Sequence, residues 1–407
     1  MLDIVRLGRH GDGIAEDPAG GAVYVAGALP GERVEADVRA GRGALQRVIA
    51  AAPERARPPC PHFGVCGGCS AQHIEPGAYA RWKRAIVRTA LENRGLNGVE
   101  PDQLIDAHGA GRRRVTLHVE CERNGARVGF MRQRSHALLE IAQCPVLAPG
   151  LERAFDAGRE LAGALKSNAA PKRFDAAVTL TETGLDVALT GVGELDFRAL
   201  TALSDAADRL DLARLTADAE PVVTRRAPIL TVGAVKLTPS AGGFLQATAA
   251  GEAQLAQLVV AHVGDAARVI DLFAGAGPFA LRLAGHARVH AVDTDAAALA
   301  SLDAAWRGGT GLKAVTTEVR DLFENPVDAV DLAVFDAAVF DPPRAGAELQ
   351  VREIANSGIE TVVAVSCEPA TFARDAEILI GGGYALARVT PVDQFRYTGH
   401  VEVVGLF

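Results

Sequence analysis

From about residue 241 onward, short apolar runs alternate with helical stretches, and each run ends in a polar residue and a turn. The runs are Ala267-Arg268-Val269-Ile270-Asp271, Val289-His290-Ala291-Val292-Asp293, Ala337-Ala338-Val339-Phe340-Asp341 and Thr361-Val362-Val363-Ala364-Val365-Ser366. That pattern predicts an α/β fold: an open, doubly wound, mostly parallel sheet with helices on both faces. Ligands in such folds bind outside the carboxyl ends of the strands. Asp271, Asp293, Asp341 and Cys367 all fall at such ends.

The first fifty residues have another rhythm. Glycine turns at Gly8, Gly11, Gly13, Gly20, Gly21 and Gly31 separate short β-type runs, and Arg33 to Val38 alternates as a half-buried strand does. A small antiparallel β-barrel is the natural expectation. Ala51 to Pro59, with three prolines, reads as a linker. Tyr79 to Leu91 reads as one helix whose stripe of Trp82, Ile86, Val87 and Leu91 belongs to a core. Residues 112–141 read as strands, and 151–240 as a mixed α/β segment in which no chemistry is visible. Three domains follow: 1–52, 53–240 and 241–407.

Composition agrees with several folded cores. A chain of 407 residues exceeds one ordinary core, and 49% apolar with 23% charged residues excludes a disordered chain. No apolar segment of signal-peptide type follows Met1 to Arg6, and no stretch approaches a membrane span. A cytoplasmic protein without membrane attachment is expected. Its cysteines would then be reduced, favouring metal ligation or catalysis over disulfides. The net charge of −8 argues against a nucleic-acid partner, but the distribution does not. Residues 53–145 carry 14 Lys/Arg against 9 Asp/Glu, and residues 241–407 carry 11 against 21. The basic excess includes Arg112, Arg113 and Arg114. It fits RNA contact or an ordinary solvated face.

The six cysteines divide by spacing. Cys60, Cys66 and Cys69 lie within ten residues, Cys144 lies far downstream, Cys367 ends an apolar run, and Cys121 has no evident role. The division points to a metal centre and a separate nucleophile.

The loop Asp271-Leu272-Phe273-Ala274-Gly275-Ala276-Gly277-Pro278-Phe279 follows a strand and opens a helix. Glycines allow close approach of a ligand, Pro278 suits a first helical turn, and the helix N-terminus can receive a carboxylate. About twenty residues on, Asp293 can accept hydrogen bonds from ribose hydroxyls. A cofactor loop and an ordinary turn both fit the glycine pair, and NAD fits the acidic residue too. The Asp341-Pro342-Pro343-Arg344 motif favours S-adenosylmethionine. Amino-methyltransferases place an aromatic residue after the two prolines. Arg344 stands there instead, which disfavours methylation of an exocyclic amine.

Cys367 and Glu402 suit a different methylation. Uracil C5 is a poor nucleophile toward a methyl sulfonium. A thiolate added at C6 creates an enolate whose C5 can attack, and a base must then remove the C5 proton. Cys367 lies where the cleft is expected, and His400-Val401-Glu402 supplies a carboxylate. A buried inert thiol and an ion-paired surface carboxylate are the plain alternatives.

Taken together, the chain resembles the RNA uracil-C5 methyltransferases over nearly its whole length. It is closest to the 23S rRNA (uracil-5-)-methyltransferases that carry a TRAM domain and an iron–sulfur cluster. The resemblance implies that residues 1–52 form the TRAM barrel, an RNA-binding module, on Gly11-Asp12-Gly13-Ile14-Ala15 and Leu29-Pro30-Gly31-Glu32. It implies that Cys60, Cys66, Cys69 and Cys144 hold a [4Fe–4S] cluster, with structural zinc as the alternative. It further implies a class I S-adenosylmethionine-dependent methyltransferase domain. There Gln246, Phe273, Gly275, Gly277, Asp293, Asp321 and Asp341 would bind the cofactor, Cys367 would be the nucleophile and Glu402 the base. The chain departs from the family pattern at Pro278, Thr248 and Arg396, where Asn, Asn and Pro are common. The expected partner is RNA, with 23S rRNA preferred and tRNA the runner-up; no obligate protein partner is implied. A non-catalytic iron–sulfur RNA-binding protein is the reading from another class.

Overall fold

The computed structural model describes residues 1–17, 20–165 and 171–407. Residues 166–170 of the mixed segment lie outside that description. Three main sheets organise the chain.

The largest has eight strands, in the order Val315–Val319, Arg288–Asp293, Arg268–Leu272, Ala337–Phe340, Thr361–Ser366, Glu402–Leu406, Arg388–Asp393 and Ile105–Asp106. The first five pair in parallel, and Glu402–Leu406 runs antiparallel to both neighbours. This is the class I methyltransferase architecture, and each of the four apolar runs forms one of its strands. Alternate residues serve opposite cores, as the two-residue period of a strand requires. Ile270, Leu272, Ala338, Phe340, Val362 and Ala364 face one core; Val269, Val339, Val363 and Val365 face the other. The first core is closed by helices Glu348–Ser357 and Pro369–Gly381, the second by Ala249–Val263 and Ala296–Gly308. Each large apolar side chain buried this way stabilises the fold by roughly 1.5–3 kcal/mol. The strand order turns around at Arg268–Leu272, so a crevice opens at its carboxyl end.

Helix Pro76–Glu92 contributes Val87 and Leu91 to the first of these cores. Ile105–Asp106 pairs in parallel with the edge strand Arg388–Asp393. Residues 76–106 therefore lean on the large sheet although they precede the middle sheet in the chain. That middle sheet has seven strands, from Arg114–Glu122 to Glu220–Thr224, covered by helices Arg153–Ala164 and Phe197–Arg209. Cys121 is partly buried there, in a strand packed against the core.

Residues 2–50 form a six-stranded sheet around Ile4, Val23, Val25 and Val34. It docks beside the crevice, against the residue that follows Cys367 and against helix Pro76–Glu92. Arg9 Nη2 donates to Glu368 Oε2 at 2.7 Å, and Trp82 Nε1 donates to Gly8 O at 3.1 Å. Glu368 is the residue after Cys367 and caps the following helix.

Candidate active site

The crevice is a cavity of about 540 Å³. Gln246, Phe273, Gly275, Asp293, Asp321, Asp341, Cys367 and Glu402 all line it. Residues spread over more than 150 positions of sequence meet there because the carboxyl ends of five strands, the start of Glu402–Leu406 and the segment before helix Ala249–Val263 converge. Gly277 is the exception. At φ +77° it packs the loop onto helix Ala296–Gly308, and a Cβ there would lie 1.8 Å from Leu302. Its glycine is demanded by packing rather than by the cavity.

The glycine loop is held by acids at both ends. Gly275 N–H donates to Asp293 Oδ2 and Asp295 N–H to Oδ1, each at 2.8 Å. Asp293 is thereby fixed while each oxygen keeps a further lone pair for ribose hydroxyls. Asp271 is fully buried beneath the loop and accepts from Ala280 N–H at 3.0 Å. Burial, then the charges of Asp341 and Asp293, push its carboxyl well up. Phe273 and Phe323, with ring centroids 5.4 Å apart, form an apolar wall. Beside it, Asp321 Oδ1 accepts from Phe323 N–H at 2.9 Å. An apolar slot, an anchored diacid position and a glycine loop fit a nucleoside cofactor such as S-adenosylmethionine.

The opposite wall carries the reactive candidates. Gln246 Nε2 donates to Asp341 Oδ2 at 3.0 Å, and Gln394 Nε2 donates to Glu402 Oε1 at 2.9 Å. Among the described residues, Glu402 Oε2 is buried with no hydrogen-bond partner. Burial raises both carboxyls, and the charge of Asp341 raises Glu402 further. Cys367 is pushed up to about 12 by burial, then by Glu402 and Asp341, while Arg344 pulls it down. Arg344 Nη2 lies 3.3 Å from His400 Nε2, and burial, then the Arg344 charge, lowers His400 to about 4. Burial thus favours the uncharged forms of the thiol, the imidazole and both carboxyls beside the Arg344 guanidinium.

Sequence reasoning missed the props. Lys83 is fully buried on the apolar stripe of helix Pro76–Glu92. It donates to Asp393 Oδ1 at 2.9 Å and also contacts the carbonyls of Phe395 and His400. Tyr79 Oη donates to Asp393 Oδ2 at 2.8 Å and accepts from Tyr397 N–H at 2.9 Å. Together they shape the turn that leads to Glu402. A lysine inside an otherwise apolar stripe was the available signal. Thr248, where Asn is common in the resembling family, caps helix Ala249–Val263: Oγ1 accepts from Gly251 N–H at 2.8 Å and donates to Ala107 O at 2.7 Å.

A second cavity, of about 470 Å³, is lined by Cys60, Cys66, Cys69 and Cys144. Phe244, Leu245, Gln246 and Phe395 line both cavities. Burial pushes Cys69 up to about 12 and raises Cys66 and Cys144, and the neighbouring thiols add to each shift. Among the described residues, no three or more His, Cys, Asp or Glu side chains are grouped closely enough to hold a single metal ion.

Comparison with known proteins adds ancestry. A family model described as tRNA (Uracil-5-)-methyltransferase matches residues 309–407. An uncharacterized RNA methyltransferase of Brucella suis is 44% identical over 406 residues, covering 100% of this chain and 97% of the relative. The 23S rRNA (uracil(1939)-C(5))-methyltransferase RlmD of Halomonas elongata is 34% identical over 438 residues, covering 98% of this chain and 88% of the relative. The Pyrococcus abyssi tRNA (uracil-54, C5)-methyltransferase, solved with S-adenosyl-L-homocysteine, shares the fold with a TM-score of 0.75 at 20% identity, each chain covered over 100%.

Proposed function

Because the chain belongs to the RNA (uracil-5-)-methyltransferase family, we propose that it methylates C5 of a specific uridine in 23S rRNA through a covalent bond to Cys367. The observation that carries the reading is the meeting of Cys367, Glu402 and Asp341 at one cavity. The rRNA target is favoured by the near full-length relationship to an enzyme of 23S rRNA.

S-adenosylmethionine supplies the methyl group when bound. Gln246, Phe273, Gly275, Asp293 and Asp321 would hold its nucleoside and amino-acid parts, and Asp341 would offset its sulfonium charge. The target uridine leaves its stack to enter the crevice. Cys367 Sγ loses its proton to solvent as it bonds C6, and the C5=C6 electron pair moves into the enolate. C5 accepts the methyl group. Glu402 Oε2 then takes the C5 proton, the electron pair restores C5=C6, and the C6–S bond breaks to free Cys367. The raised Glu402 carboxyl suits a base that works near neutral pH. The raised Cys367 thiol means that attack waits for the substrate and the Arg344 charge.

Three parts serve this reaction: 1–52 as a TRAM-type RNA-binding barrel, 53–240 as the cluster-bearing part and 241–407 as the catalytic part, in the cytoplasm. Cys60, Cys66, Cys69 and Cys144 fit a [4Fe–4S] cluster better than zinc. Four thiols line one cavity, and an all-cysteine donor set is the one such clusters use. A bound cationic centre would offset the burial that raises Cys66, Cys69 and Cys144.

Mapping 5-methyluridine in a strain lacking the gene tests the reading. One 23S rRNA uridine should lose its methyl group. Loss confined to tRNA, or no loss, would refute the target.

A further inference from the structure

Gln394 lies between the two halves of the site. It is 0% exposed. Its Nε2 donates to Gln246 Oε1 at 2.5 Å and to Glu402 Oε1 at 2.9 Å, while its Oε1 accepts from Thr248 N–H at 3.4 Å. With Glu402 as the carboxylate, turning the amide over would set oxygen against two acceptors, so these contacts favour one orientation. Gln246 spends its oxygen on Gln394 and its amide nitrogen on Asp341. The chain of donors therefore runs outward from the two glutamines to a carboxylate at each end. Helix Ala249–Val263 clamps the middle of it. A Cβ at Gly251 would lie 2.6 Å from Gln394 Oε1 and 2.7 Å from its Cβ, so only glycine lets the helix press this close.

We propose that Gln394 is the positioning residue for proton abstraction, anchoring Glu402 by Oε1 so that Oε2 meets the C5 proton, and tying that orientation through Gln246 to Asp341. The inference rests on the methyl-transfer reading above. A carboxyl anchored at one oxygen cannot turn over, and its other oxygen stays directed into the cavity. The groups facing Glu402 divide into two sets. The Gln394 amide and Lys83 favour its carboxylate, whereas burial and Asp341 oppose it. Cys367 feels the Glu402 charge, and Arg344 and His400 line the same cavity. Removing the amide thus costs Glu402 both its aim and a stabilising donor.

The test compares the protein with Gln394→Met, a side chain of similar length without the amide. The substrate is total RNA from the deletion strain, labelled with tritium at uracil C5 and offered with ¹⁴C-methyl S-adenosylmethionine. Tritium release reports proton abstraction, and ¹⁴C reports methyl transfer. In Gln394→Met, tritium release should slow roughly tenfold at pH 7 while ¹⁴C enters a denaturation-resistant protein–RNA adduct. The deficit should shrink as pH rises. Release and transfer falling by one factor without adduct, or release at the original rate, would overturn the proposal. An unsubstituted protein that neither releases tritium nor transfers ¹⁴C would overturn the methyl-transfer reading instead. Should the Met variant lack a cooperative melt, Gln394→Asn is read the same way, since it keeps the amide one methylene short.

Discussion

Two cavities share one wall, and each holds a partly buried thiol whose proton affinity is raised. Cys69 and Cys367 are both pushed up to about 12, chiefly by burial. What differs is the company. Around Cys69 a hydrogen bond with Gln72 pulls it down, and the influences after that are the thiols Cys144, Cys66 and Cys60. Around Cys367 they are Glu402, Asp341 and Arg344. Thiols gathered around a common space can all ionise only when a cationic centre joins them. A single thiol between acids and a guanidinium suits attack on carbon. On the proposed reading, neighbours and not the thiol's own titration assign the two roles.

The sharpest way to break this comparison is Cys367→Ala. Methylation should fall by on the order of 10⁴-fold or more while S-adenosylmethionine binding, followed by calorimetry, stays near normal. Retained turnover would contradict the covalent route. Glu402→Gln comes next: product release should drop by roughly 10²–10⁴-fold, and a covalent RNA–protein species should accumulate on denaturing gels. Cys69→Ala should act in the opposite manner. Iron and sulfide content measured after anaerobic purification should fall, and stability should drop by about 3 kcal/mol in denaturant unfolding. Activity would decline only as the fold is lost. Zinc in place of iron and sulfide would reject the cluster.

The smallest effect is a pH slope. Asp341 and Glu402 have folded-state affinities for protons raised above those of the unfolded chain. Their contribution to stability is full at low pH, below the ordinary carboxylate range, and is lost as pH rises through the raised values. Each contributes at most about 1.4 kcal/mol per pH unit to the decline. Glu402→Gln should flatten that decline in thermal melts between about pH 5 and 9. An unchanged slope would show that burial does not hold this carboxyl protonated.

Much of the catalytic half was legible because its signals are local. Strands buried on both faces appear as unbroken apolar runs, so Arg268–Leu272, Ala337–Phe340 and Thr361–Ser366 were found within a residue or two. Their polar ends then located Asp271, Asp341 and Cys367. The helix carrying Trp82 and Leu91 was equally plain, but its destination was not. Its periodicity shows that a face is buried and not against which sheet, so the docking of Val87 and Leu91 on the catalytic core went unseen. Ile105–Asp106 is two residues long and has no pattern to read. Lys83 and Gln394 carry no motif of their own. Lys83 meets its partner Asp393, and Gln394 its partner Gln246, across more than 100 positions. At Gly277, a glycine that admits a cofactor and one that admits Leu302 look identical in sequence. The wall common to the two cavities is likewise a product of tertiary packing, formed by residues 244–246 and 395.

The most direct test maps the bond itself. The RNA-linked species trapped with Glu402→Gln would be digested with protease and nuclease and sequenced by mass spectrometry. The expected result is one peptide carrying a C5-methylated uridine nucleotide on Cys367. A nucleotide attached to any of Cys60, Cys66, Cys69, Cys121 or Cys144, or methylated RNA formed with no linked peptide at all, would contradict the division of labour between the two cavities.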